Sequence, residues 1–129
     1  MIWVNTDDLV NVAAMAKRLE EEITLKGPRR IRAFIVYMNP NNEAKSEVER
    51  RLRSFALNAG LSQVAVTYVP SPGDARTSGL YRINPSPEVR NTVIVYRSRK
   101  VFDKYVNFAA TTEDLDRLIA SVEKAETSK

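Results

Sequence analysis

Apolar and polar positions change period repeatedly along this chain, and each change marks a predicted element. Ile2-Trp3-Val4 is a short apolar run of strand formers. Thr6, Asp7 and Asp8 follow and resemble a helix start, with a polar cap and acidic groups at the positive end of the dipole. Leu9, Val12, Ala13, Ala16, Leu19 and Ile23 then repeat at helical spacing, and Gly27-Pro28 stops the helix. Ile31 to Met38 is nearly continuous apolar sequence, the pattern of a strand covered on both faces. After the turn Asn39-Pro40-Asn41-Asn42, Ser46 with Glu49 has the spacing of a capping box. Val48, Leu52, Phe55, Ala56 and Ala59 form the stripe of a second helix, closed by Gly60.

Val64 to Val69 is the third predicted strand. Pro70 to Asn91 is irregular, with a helical turn expected near Leu80 and Tyr81. Thr92 to Tyr96 and Val101 to Phe108 flank the polar turn Arg97-Ser98-Arg99-Lys100, so they pair only as an antiparallel hairpin. Thr111 or Thr112 caps a last helix with Leu115, Leu118, Ile119 and Val122 on its core face, and Ala125 onward should fray. The order β-α-β-α-β, then β-β-α, predicts an α/β fold. A central mixed sheet of about five strands should carry helices on both faces. It is expected to form one domain over residues 1–125, with 126–129 a frayed tail.

Composition sharpens this by exclusion. The 129 residues are 43% apolar, a globular content at single-domain length. With no cysteine there is no disulfide, thiolate nucleophile or sulfur-bound metal. With no histidine the usual general base near neutral pH is missing. No metal or other cofactor is expected. No membrane span is legible, and Ile2 to Asp8 does not read as a signal peptide, so the chain is expected to be soluble, with its compartment open.

The second half carries a resemblance. Tyr81-Arg82-Ile83 stands where thioredoxin-like proteins of the TlpA and peroxiredoxin-like form have a Tyr-x-Val/Ile segment. Thr92-Val93-Ile94-Val95-Tyr96 resembles their next strand, Arg97 to Val101 their hairpin turn, and Thr112 to Val122 their closing helix. The element order also looks like the core of that fold. In that family a Cys-x-x-Cys dithiol lies between a strand and the first turn of the long helix. Here that stretch is Asn5-Thr6-Asp7-Asp8, with carboxylates where thiols would be. The family's cis-proline position falls near Arg90-Asn91, which holds no proline. The resemblance therefore implies a redox-inactive member acting as a protein-interaction or structural module, which is the first reading, and carries over no catalytic residue. It points to Asn5, Thr6, Asp7, Asp8, Arg90 and Asn91 as the surface to examine for binding, with the Pro70–Asn91 loop bordering it.

Charge leaves alternatives open. The formal net charge is +4, and arginines cluster at Arg29, Arg30 and Arg32, at Arg50, Arg51 and Arg53, and at Arg97, Arg99 and Lys100. On one shared face they would bind phosphate or nucleic acid. Ion pairing of Glu47 and Glu49 with the second cluster, and the lack of any nucleic-acid motif, make that the second reading. A non-thiol enzyme built on Asp7 and Asp8 is the third. Trp3 is expected to be buried beside the first helix. Phe34, Tyr37, Phe55 and Tyr96 are expected in the core. The favoured partner is another protein, or another domain of a longer chain.

Overall fold

The computed structural model describes residues 1–6, 9–74, 82–98 and 100–127. Among the described residues, five strands and three helices follow in the predicted order. They are β1 (Ile2–Val4), α1 (Val10–Lys26), β2 (Phe34–Tyr37), α2 (Lys45–Asn58), β3 (Ala65–Tyr68), β4 (Asn91–Arg97), β5 (Lys100–Val106) and α3 (Thr112–Thr127). They make one small α/β domain with a mixed sheet in the order β3-β2-β1-β4-β5. β1 pairs parallel with β2 and antiparallel with β4; β3 continues the parallel half and β5 the antiparallel half. The expected turn near Leu80 and Tyr81, and Arg99 in the hairpin, lie outside the described residues.

Among the described residues all three helices lie on one face of the sheet, where the sequence predicts helices on both. Side chains of α1, α2 and α3 share one cluster with Ile2, Val4, Ile35, Tyr37, Val93 and Val95, which all point to the same side of the sheet. The strand order explains this. From β1 to β2 to β3 the chain steps twice in one direction, and right-handed crossovers taken in one direction place both helices on one face. After β5 the chain returns over that same face, where Leu118, Ile119 and Ala125 of α3 complete the layer. The opposite face holds a smaller cluster of Trp3, Val36, Met38, Val69, Ile83 and Ile94. Trp3 is therefore buried, but across the sheet from α1 rather than beside it.

Other local expectations shift in similar ways. α1 begins after Leu9, while Asp7 and Asp8 of its predicted cap lie outside the described residues; α2 begins after Ala44 with Ser46 already inside the helix, so the Ser46–Glu49 capping box does not form. In its place Asn39 organises the entry to α2: its Oδ1 accepts from the Glu43 amide at 3.0 Å, and its Nδ2 donates to the carbonyls of Glu43 and Pro70. Thr111 does cap α3, accepting from the Asp114 amide at 3.2 Å. α3 continues to Thr127 instead of fraying from Ala125. Ala125 is buried, Arg97 donates to the carbonyls of Ala125 and Glu126, and Arg30 pairs with Glu126 at 3.0 Å. In the hairpin Arg97 pairs with Lys100 across Ser98, whose φ is 52°. A register shift after Val95 leaves Phe102 unpaired and turns Tyr96 outward, where the sequence places it in the core.

Candidate functional site

The sequence-derived surface lies where β1 ends and β4 begins. β1 and β4 are neighbours with Val4 opposite Asn91, so the element order brings Asn5, Arg90 and Asn91 together. The Asn5 amide donates to the Arg90 carbonyl at 2.8 Å. Thr6 is half-buried beside them, and Arg90 is exposed. Asp7 and Asp8 lie outside the described residues, so the carboxylate half of the predicted surface has no geometry to report.

An asparagine stands at each of four strand ends on this edge: Asn5 after β1, Asn39 after β2, Asn91 opening β4 and Asn107 after β5. The residue type suits the position. A short amide offers both donor and acceptor to backbone left unpaired where a ladder stops. Asparagine also tolerates the left-handed backbone, and Asn39 and Asn107 both have φ of 54°. Asn91 is clamped to Phe108, accepting from its amide at 2.8 Å and donating to its carbonyl at 3.1 Å. Asn107 accepts from the Arg90 amide at 2.6 Å and donates to the Glu88 carbonyl at 3.1 Å. Asn11 of α1 completes the arrangement, donating to the Phe108 carbonyl and accepting from the Ala110 amide, both at 2.7 Å.

Asn5 Nδ2 donates to the carbonyls of Pro85 and Ser86 at 3.0 and 3.2 Å. Its Oδ1 is fully buried and has no hydrogen-bond partner among the described residues. Chemically the arrangement is a set of amide staples. An amide side chain carries no ionisable proton, so these groups fix the 84–91 segment against β1 and β5 and transfer nothing. The sequence reading missed Asn11, Asn39 and Asn107. Asn39 carried a signal by standing immediately after a predicted strand, whereas Asn107 falls inside the predicted last strand and Asn11 inside the first helix, where the sequence pattern does not mark them.

The arginine clusters separate in space. Arg29, Arg30 and Arg32 come together with Arg97 around a cleft of about 640 Å³ at the opposite end of the sheet. None of Arg50, Arg51 and Arg53 lines it. Arg50 pairs instead with Glu47 at 2.7 Å and Arg51 with Glu43 at 2.8 Å. Among the described residues no group of acidic or other ligating side chains is placed to hold a metal ion, and no helix is long and apolar enough to cross a membrane. Comparison with protein-family models, with curated proteins and with solved structures finds no match to this chain.

Proposed function

We propose that this chain is a redox-inactive, thioredoxin-like domain that serves as a protein-interaction module. The observation that carries the reading is the asparagine edge. Where a thioredoxin-like domain would hold its dithiol and proline, Asn5 and Asn91 are engaged with backbone, and the side chains that meet there among the described residues are amides. The element order supports the family likeness; the placement of the three described helices on one face is where this chain departs from it.

The β4–β5 hairpin supports the interaction role. Val101 is 61% exposed and Phe102 42% exposed, with Tyr96 beside them. Exposed aromatic and aliphatic groups gathered on one hairpin are the surface type that protein partners bury. Arg97 and Lys100 flank the patch, so the matching partner carries acidic groups around an apolar centre. A photo-crosslinking residue at Phe102, expressed in the source cell, should give a discrete protein adduct. The same residue at Leu57, an isolated exposed position on α2, should not. Equal yields at both sites would refute the reading. Phe102→Ser supplies the control, since an exposed side chain on an edge strand changes stability by less than about 0.5 kcal/mol.

A further inference from the structure

We propose that the cleft at the N-terminal end of β1 and β2 binds an anionic amphiphile: a carboxylate or phosphate head group on an apolar chain or ring. The cleft lies away from the asparagine edge and borders the hairpin through Tyr96 and Arg97, but the proposal rests on Arg29, Arg32 and the apolar floor, none of which the interaction reading uses.

The cleft is built from two kinds of surface. Its floor is apolar, with Ile2 and Val93 from the sheet, Leu19 from α1 and Leu118 and Val122 from α3. Its rim carries Arg29, Arg30, Arg32 and Arg97. The rim arises from local chain geometry. Gly27, with φ of 97°, ends α1, and a turn held by the Arg30 amide on the Gly27 carbonyl carries the chain across the end of the sheet. Ile31 and Ala33 then point into the core, so Arg32 between them points out.

The four arginines are not equivalent. Arg97 donates to the last carbonyls of α3, and Arg30 pairs with Glu126. Arg29 and Arg32 are exposed and have no hydrogen bond or ion pair with any described residue. The single carboxylate on the lining, Glu126, is held by Arg30 and also faces Lys26 at 3.8 Å. Two uncommitted guanidiniums thus stand over an apolar floor, in a cleft within the roughly 300–1,000 Å³ range of small-molecule sites.

Charge and floor together select the ligand class. Guanidiniums open to water hold an inorganic anion weakly, because solvent screens the pair. An apolar tail against the floor supplies the binding, and the arginines select the sign of the head group.

The test titrates the chain with decanoate and with decyl phosphate, followed by calorimetry and by methyl chemical shifts. Decanol, decyltrimethylammonium, inorganic phosphate and a single-stranded oligonucleotide are the comparison ligands. One or both anionic amphiphiles should saturate at one per chain and move the methyls of Leu19, Leu118 and Val122. Which of the two binds tighter identifies the head group. The Arg29→Ala/Arg32→Ala double variant should weaken the anions by about tenfold or more, with the decanol response unchanged. Any of four results overturns the proposal: equal binding of the cationic amphiphile, equal binding of phosphate alone, tighter arginine-dependent binding of the oligonucleotide, or an unchanged double variant.

Discussion

Replacing Asn91 tests whether the asparagine edge is a structural staple. Asn91 is 4% exposed and faces Phe108, itself 7% exposed, through two hydrogen bonds. In Asn91→Ala the Phe108 carbonyl keeps Asn11 Nδ2 at 2.7 Å. The Phe108 amide has no such reserve and becomes a buried unpaired donor, which costs about 1–3 kcal/mol. The lost side-chain volume adds a smaller cavity term, for a total of about 2–3 kcal/mol. In a domain of this length that lowers the melting temperature by on the order of 10 °C. Asn91→Asp separates staple from volume. It keeps an acceptor for the Phe108 amide but places a buried carboxylate against the Phe108 carbonyl, and burial raises its pKa. A pKa higher in the folded than in the unfolded state means that folding takes up a proton. The aspartate variant therefore recovers stability relative to wild type as pH falls. The recovery is complete below the unfolded value of about 3.9, where the protonated oxygen donates in place of Nδ2. Urea unfolding at several pH values reads this directly, with Trp3, the single buried tryptophan, as the fluorescent probe. An alanine cost below about 0.5 kcal/mol, or an aspartate deficit that widens on acidification, would refute the reasoning.

Three further outcomes follow from the polar contacts. Glu20 of α1 accepts from the amides of Ser62, Gln63 and Val64 at 2.8–3.0 Å and from the Ser62 hydroxyl at 2.9 Å. Burial disfavours its charge, but the donors from Gln63, Val64 and Ser62 outweigh that and hold the pKa below the ordinary 4.5. Its contribution is thus present above pH 4.5 and lost as pH falls through the lower folded value. Glu20→Gln should cost about 1–2 kcal/mol near neutral pH, with a gap that narrows on acidification in urea titrations; a constant gap contradicts the assignment. Lys26 bridges α1 to α3 through Glu123 at 2.7 Å, and that hydrogen bond raises its pKa against the opposing effect of burial. Lys26→Met should cost about 1 kcal/mol at low salt and much less at about 1 M salt, and salt-independent loss would argue against the ion pairs. Arg97→Met removes donors from the end of α3 and should cost about 1 kcal/mol, whereas Arg29→Ala/Arg32→Ala should stay within about 0.5 kcal/mol; thermal melts distinguish the two.

The fold was legible wherever one periodicity dominated. Val12, Ala16, Leu19 and Ile23 mark the inner face of α1 in sequence and occupy it in the structure. The short interval from Tyr96 to Val101 allows only a hairpin, and β4 and β5 form one. The side on which helices sit was not legible. Ile35 and Tyr37 face the helices while Val36 and Met38 face away, and all four are buried apolar residues. Such a strand carries no mark of which face takes a helix. That is decided by β3 adding beyond β2, a choice of strand neighbour that periodicity does not encode. Trp3 was misplaced for the same reason, since Ile2-Trp3-Val4 is apolar throughout. The meeting of Asn5 with Asn91 followed from element order alone. The chemistry of that meeting needed the backbone geometry, because it rests on which amides and carbonyls each strand end leaves unpaired.

The two ends of the sheet differ in polar chemistry because of how the helices run. α1 and α3 end side by side, where Lys26 reaches Glu123 and Glu126, so their negative dipole ends point to one edge. Cations are stabilised there, and Arg97 on the final carbonyls of α3 is such a case. A structural account thus covers Lys26 and Arg97, and it covers Arg30 through Glu126. It does not extend to Arg29 and Arg32, which touch neither a helix end nor a carboxylate among the described residues. The opposite edge needs no cations: it holds strand ends whose backbone groups require partners in both directions, and asparagine supplies both. Amides therefore close one end of the sheet, while at the other the arginines exceed what helix capping uses. It is that excess, rather than the overall charge of the chain, that separates a ligand site from a merely basic surface.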